Sequence, residues 1–244
     1  MIKRLSVFAI ALAALLPLVS FAEEGPELQE AHTHLNDQAS LQRGASLFMN
    51  YCSGCHSLKY VRYSRMGEDL GLTEEQVAKN FIFTGAKPGE HINAAMTPTD
   101  AEEWLGKAPP DLSLTGAARG PDWVYTYLKS FYMDESRPAG WNNTLLPNAA
   151  MPNVLWQLQG IQRPVMDKGA DGQPAVDHLE LASKGSLDPE QYDQAARDIS
   201  AFLQYAAEPA AMQREHYGVW VILFLVVFTF LAYLLKHEYW RDVH

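Results

Sequence analysis

At 244 residues, 48% of them hydrophobic, the chain is long enough for one sizeable core plus an accessory segment, and its 30 Gly and Pro residues point to long connections. A formal charge of −10 excludes a typical nucleic-acid binder, whose domain would be basic. The acidity leaves two readings: long-range steering of a basic partner, or solubility alone.

Residues 1–22, MIKRLSVFAIALAALLPLVSFA, have a basic start, an apolar middle and a small-residue end. That is the pattern of a secretory signal peptide, cut after Ala22. Pro17 and the short apolar run fit a cleaved signal better than a retained anchor. Its loss removes Lys3 and Arg4, leaving 17 basic and 29 acidic groups, a net −12. A polar lead-in follows, and then QASLQRGASLFMNYC reads as a helix. Leu41, Ala45, Phe48 and Cys52 share one face at helical spacing. Gly44 lies inside it; an interior glycine costs about 1 kcal/mol relative to Ala, so either a close helix crossing or simple tolerance accounts for it.

LTEEQVAKNFI is a second helix, with Thr73 and Gln76 forming a capping box. Residues 84–121 read as loop. DWVYTYLKSFYMD is a third helix, placing Trp123, Tyr127 and Phe131 on a core face. ESRPAGWNNTLLPNAAMPN is another long loop, and GADGQPAVDH a hairpin or surface loop. LDPEQYDQAARDISAFLQYAAEP is a helix with Asp188 as N-cap, Pro189 at its first position and Gln191 completing the box. Tyr192, Ala196, Ile199 and Leu203 form its buried stripe, and Pro209 ends it. Little in the loops alternates like a strand. Loops this long carry function or wrap something, and a central cofactor would replace missing core.

Residues 217–235, YGVWVILFLVVFTFLAYLL, are uncharged. At about 1.5 Å per residue they reach roughly 28 Å, the thickness of a bilayer's hydrocarbon core. Tyr217 and Trp220 at one end and Tyr233, Tyr239 and Trp240 at the other suit the two interfaces. With the signal peptide exporting residues 23–216, this is one C-terminal transmembrane helix, and residues 236–244 stay cytoplasmic.

The two cysteines of the chain, Cys52 and Cys55, both fall in YCSGCHSLKY, with His56 directly after. A disulfide between them would close too small a loop to restrain the unfolded chain. Zinc needs about four ligands, and there is neither a second C-x-x-C nor paired histidine spacing. A redox dithiol expects a βαβ setting that is missing here. C-x-x-C-H is the pattern of c-type haem attachment. Two thiols one helical turn apart add across the porphyrin vinyl groups, and the next imidazole turns onto the iron. For the other axial position Met66, Met96, Met151 and Met166 remain, with His91 and His178 as rivals. Met151 in PNAAMPNVLW is favoured: small neighbours let the backbone approach a ring and Pro152 stiffens the loop.

Further stretches extend the pattern. RGASLFMNYCSGCHSLKYVRYSR, APPDLSLTGAARG, DWVYTYLKSFY, GWNN, PNAAMPNVLW and QYDQAARDISAFLQYAAEP before one membrane helix resemble, in order, the segments of the cytochrome c1 family. The resemblance covers nearly all of the mature chain. It implies a mainly α, class-I-like c-type cytochrome domain with long loops on the C-terminal anchor, holding one covalent haem c. Cys52 and Cys55 become the thioether donors, with His56 and Met151 the axial ligands. Pro109 and Pro110 pack on the haem and Arg119 pairs with a propionate. Trp123 stands where many relatives carry a propionate-binding Tyr; an indole offers one donor. The family's extra cysteine pair is absent, so packing must hold the loops. The implied role is one-electron transfer in the quinol–cytochrome c oxidoreductase, with no catalytic residues in this chain. Its partners would be cytochrome b, the Rieske iron–sulfur protein and a periplasmic c-type cytochrome acceptor, within a dimeric complex in a bacterial inner membrane. A free-standing membrane-anchored cytochrome c serving another oxidase or reductase is the alternative.

Overall fold

The computed structural model describes residues 27–168 and 174–241, with the side chains of 215 and 216 left out. The signal-peptide reading of 1–22 and the last three residues of the predicted tail lie outside the described residues.

Helix α1 spans Gln38–Tyr51, capped by the Asp37 carboxylate, which accepts from the Ser40 N–H. Its predicted face, Leu41, Ala45, Phe48 and Cys52, is buried. Strand β1 (Leu58–Arg62) and short helices α2 (Tyr63–Asp69) and α3 (Glu74–Asn80) follow. The Thr73–Gln76 box forms in both directions. The stretch expected to be loop holds strand β2 (His91–Ile92) and helices α4 (Pro98–Leu105) and α5 (Thr115–Ala118). Helix α6 is Pro121–Lys129, strand β3 Phe131–Met133, strand β4 Trp141–Asn143 and helix α7 Trp156–Gln159. Strands β5 (Gly160–Lys168) and β6 (Pro174–Lys184) precede the long helices α8 (Pro189–Ala207) and α9 (Ala211–Trp240).

About half of the described residues are helical, and among them are also three two-stranded antiparallel sheets. Of these, only the β5–β6 hairpin was legible, around GADGQPAVDH; its tip lies outside the described residues. The β1–β2 and β3–β4 pairs escape sequence reading because each has a strand of two or three residues, too short for an alternating pattern. Phe131 is buried as predicted but sits on β3, not on the helix, which stops at Lys129.

The core forms where α1 crosses α8. Phe48 packs on Phe202, with ring centroids 5.6 Å apart, and Phe202 on Tyr205 at 6.0 Å. Each fully buried aromatic contributes roughly 1.5–3 kcal/mol relative to exposure. The predicted α8 stripe, Tyr192, Ala196, Ile199 and Leu203, is buried. Gly44 is the contact point: a Cβ there would sit 2.0 Å from the Asp198 carbonyl oxygen, so a close crossing is its reason. Gly116 does the same for α5, where a Cβ would lie 2.3 Å from the Leu203 carbonyl oxygen. The crossing is bound by a buried carboxylate. Asp198 accepts from Arg43 (2.6 and 3.0 Å), Ser40 Oγ (2.5 Å) and Gln194 Nε2 (2.7 Å). A buried carboxylate needs such partners; removing one from a buried pair costs about 3–5 kcal/mol.

Helix α9 is one continuous helix of 30 residues, longer than the predicted span. The candidate membrane span Tyr217–Trp240 holds an 18-residue window with a mean hydropathy of 2.6, none of it buried by the rest of the chain. It is the one helix among the described residues long and apolar enough to cross a membrane. Leaving so much apolar surface in water would be costly, which fits a lipid-facing element.

Candidate functional site

The C-x-x-C-H turn leaves the end of α1 as a tight coil. The N–H groups of Cys55 and His56 both donate to the Cys52 carbonyl, at 3.0 and 2.8 Å. Two segments clamp it. On one side Ala95 and Met96 donate to the carbonyls of Ser53 and Gly54, and Ala94 to the Ser57 hydroxyl. On the other, Leu112 donates to the Ser57 carbonyl, Lys59 N–H to the Asp111 carboxylate, and Tyr60 N–H to Ser113 Oγ. The APPDLS stretch is therefore a strap over the turn.

Both cysteines are free thiols, Cys52 buried and Cys55 half-buried. Burial pushes the Cys52 thiol up to about 12 and also raises Cys55. A redox dithiol needs a depressed attacking cysteine, so this pair is set the wrong way for that chemistry. The His56 Nδ1 lies 2.7 Å from the Pro110 carbonyl oxygen. A carbonyl only accepts, so Nδ1 carries the proton and Nε2 presents its lone pair. Burial lowers the His56 pKa, outweighing the Pro110 hydrogen bond and the Asp111 charge, and the neutral imidazole is the ligating form.

A second group gathers on α6. The Arg119 guanidinium lies over the Trp123 ring, 5.1 Å from its centroid. Trp123 stacks on Tyr127 at 5.0 Å and 10°, and Tyr127 meets Phe131 edge-on at 5.0 Å. The Tyr127 hydroxyl reaches the Met151 sulfur at 3.7 Å. Burial pushes the Tyr127 phenol up to about 12, so it keeps its proton. Trp123 and Tyr127 are half-buried. The face expected to be core is thus a wall that carries Met151.

The loop bearing Met151 is fixed by two buried asparagines. Asn143 donates to the Tyr127 carbonyl (2.9 Å) and accepts from the N–H groups of Leu145 and Leu146 (2.9 and 3.1 Å). Asn142 accepts from the Asn148 N–H (2.8 Å) and donates to Asp134 (2.9 Å). Arg137 adds two bonds to Asn148. Packing alone was expected to hold these loops; buried side-chain hydrogen bonds do much of it. GWNN in the sequence carried the signal, since two adjacent buried amides need such partners.

The structure therefore brings Pro110 onto His56, and Arg119, Trp123, Tyr127 and Met151 into one row. The segment Asp111–Gly120 links the two groups in the chain. Pro110 acts through its carbonyl, which a reading of its ring misses; Pro109 is half-buried beside it. Arg119 is exposed with no acid in ion-pair distance among the described residues. Of the rival ligands, Met96 lies beside the attachment turn, its N–H donating to the Gly54 carbonyl at 3.0 Å, and Met166 lies on β5. Met66 is fully buried in the core, and His178 is bound to Asp177 and Glu180 on the exposed hairpin. His91 lies on β2, paired with Arg62. A recess of about 510 Å³ opens elsewhere, lined by Tyr132, Asp134, Arg163 and Met166, and takes in none of the predicted site residues.

Comparison with known proteins decides the family. The Cytochrome C1 family profile matches residues 29–243. The chain belongs to the cytochrome c1 family. It is 53% identical to cytochrome c1 of Allochromatium vinosum over 90% of this chain and 91% of that one. Cytochrome c1 of Rhodospirillum rubrum is 32% identical over 85% and 83%. A protein named ammonia monooxygenase gamma subunit, from Nitrosomonas europaea, is 40% identical over 99% of this chain and the whole of that one. Membership places the chain in electron transport as a haem protein with a C-terminal membrane helix. Cytochrome c1 proteins carry covalent haem c, and Cys52, Cys55 and His56 supply the C-x-x-C-H pattern for it.

Proposed function

We propose that this chain is the haem c subunit of a membrane-bound quinol–cytochrome c oxidoreductase. In this reading it takes single electrons from a Rieske iron–sulfur protein and delivers them to a periplasmic c-type cytochrome. The observation that supports the reading is the orientation of His56, which follows Cys52 and Cys55 in one turn and, with Nδ1 on the Pro110 carbonyl at 2.7 Å, keeps Nε2 as its lone-pair nitrogen. The donor set suits a haem c: thiols one turn apart, one nitrogen ligand and one sulfur ligand.

When bound, the haem supplies one-electron iron chemistry. The residues do the rest. Cys52 and Cys55 hold the group by thioethers. Pro110 fixes the His56 tautomer through its carbonyl, orienting the imidazole as a second-layer partner of a metal ligand does. Met151 would supply a sulfur ligand to the haem iron, a donor type suited to an electron carrier. Arg119, with no acid in ion-pair distance among the described residues, would offer donors to a haem carboxylate. The domain is class-I-like, exported by the segment 1–22, with Tyr217–Trp240 spanning the inner membrane beside cytochrome b and residues beyond it in the cytoplasm. Two such units pair in the complex.

Gentle solubilisation, identification of co-purifying subunits and a redox-titrated spectrum test this. The expected product contains cytochrome b and a Rieske protein and shows a c-type haem reduced by quinol. Purification without them overturns the assignment in favour of a free-standing cytochrome. Subunits of a monooxygenase in their place overturn it in favour of the Nitrosomonas europaea relative's name.

A further inference from the structure

We propose that Tyr127 is a positioning residue for the Met151 sulfur, donating a hydrogen bond that raises the reduction potential of the iron this sulfur ligates. The inference rests on Met151 being the distal ligand, as proposed above.

The geometry is a single O–H···S contact of 3.7 Å, within reach for sulfur. Among the described residues it is the one hydrogen bond of this hydroxyl. A thioether sulfur has two lone pairs. One binds iron and the other remains a weak acceptor. Donation to that second pair draws density from the sulfur, so the ligand stabilises the oxidised, more positive iron less. The reduced state gains by comparison. Hydrogen bonds to ligating sulfur are a recognised lever on potential.

The contact is held from both ends. The Tyr127 ring is clamped between the Trp123 face and the Phe131 edge, which fixes where the hydroxyl points. Asn143 ties the helix turn carrying Tyr127 to the loop carrying Met151, bonding the Tyr127 carbonyl with one end of its amide and Leu145 and Leu146 with the other. Asn143 is wholly buried, so this bracket is not exchanged for water. The Asn143 amide thus joins the helix turn that carries Tyr127 to the start of the loop that carries Met151.

The test is Tyr127→Phe in the assembled, haem-loaded protein, read by redox titration and by the sulfur-to-iron charge-transfer band of the oxidised form. The phenylalanine keeps both ring contacts and removes only the hydroxyl. We expect the reduced-to-oxidised ratio at fixed potential to fall about three- to tenfold, roughly 30–60 mV at 59 mV per tenfold for one electron, with the band shifted but kept. An unchanged potential and band overturn the proposal. Loss of the band overturns it too, since Tyr127 would then hold the ligand in place and not tune it. Tyr125→Phe, on the same helix, removes a hydroxyl that meets Lys129 instead (3.0 Å); an equal fall there assigns the effect to the helix and overturns the proposal. The ligand reading fails separately: if Met151→Leu leaves the band intact, Met151 is not the ligand, whatever Tyr127→Phe does.

Discussion

Cys52, Cys55 and His56 stand in one turn, so their spacing alone defines what they can bind. Met151 lies 95 positions beyond His56, and the residues around it set only a preference among several methionines and histidines. Its contact with Tyr127 is a property of two loops meeting and has no local signal. Pro110 shows the same limit from the other side: its ring was legible and its carbonyl was not, because backbone direction depends on the strap's path over the turn. In the proposed assignment, Met151→Leu would remove a soft sulfur ligand that raises the potential. Axial ligands move haem potentials over hundreds of millivolts, so the midpoint should fall by on the order of 0.1 V or more. Redox titration of the purified variant measures it; an unchanged spectrum and potential would eliminate Met151 as ligand.

At the level of elements, long helices with capping boxes were legible and short strands were not. Helices α3 and α8 begin at the boxes their sequences spell, because Thr73–Gln76 and Asp188–Gln191 need only neighbours three residues away. Strand β1 pairs with β2 across 29 to 34 residues and β3 with β4 across 8 to 12, and strands of two to five residues give no period to read. Gly44 separates intrinsic propensity from packing. Helix propensity predicts that Gly44→Ala stabilises by about 1 kcal/mol. The crossing predicts the opposite, since the new methyl would meet the Asp198 carbonyl at 2.0 Å. Overpacking of this kind costs about 1–3 kcal/mol, and the backbone on one side leaves little room to relax. We expect a lower midpoint of thermal unfolding for the haem-loaded variant. An equal or higher midpoint would show that α1 and α8 can separate there at no cost.

For the whole molecule the charge and the anchor act together. In the proposed topology the net charge of −12 left after residues 1–22 would give the exported surface a field that attracts a cationic acceptor, with α9 holding that surface beside the membrane. Screening lengths shrink from about 10 Å at 0.1 M salt to about 3 Å at 1 M. Electron transfer to a basic cytochrome should therefore slow steadily as salt rises, followed by stopped-flow spectroscopy. A flat dependence would leave the acidity as a solubility device.

The sequence by itself determined the family, the attachment turn, the helices with local caps and the membrane helix. Each depends on residues close together in the chain, or on composition. The tertiary structure decided what the loops are for. It turned a predicted core face into a wall beside Met151, since Tyr127 reaches the Met151 sulfur with Trp123 stacked on it, while Phe131, on β3, is the fully buried member. It made Asn142 and Asn143 a bracket, because a buried amide must find partners and those partners came from a loop several residues away. It also placed the Pro110 carbonyl over His56, 54 residues distant in the chain, and so settled which imidazole nitrogen is free.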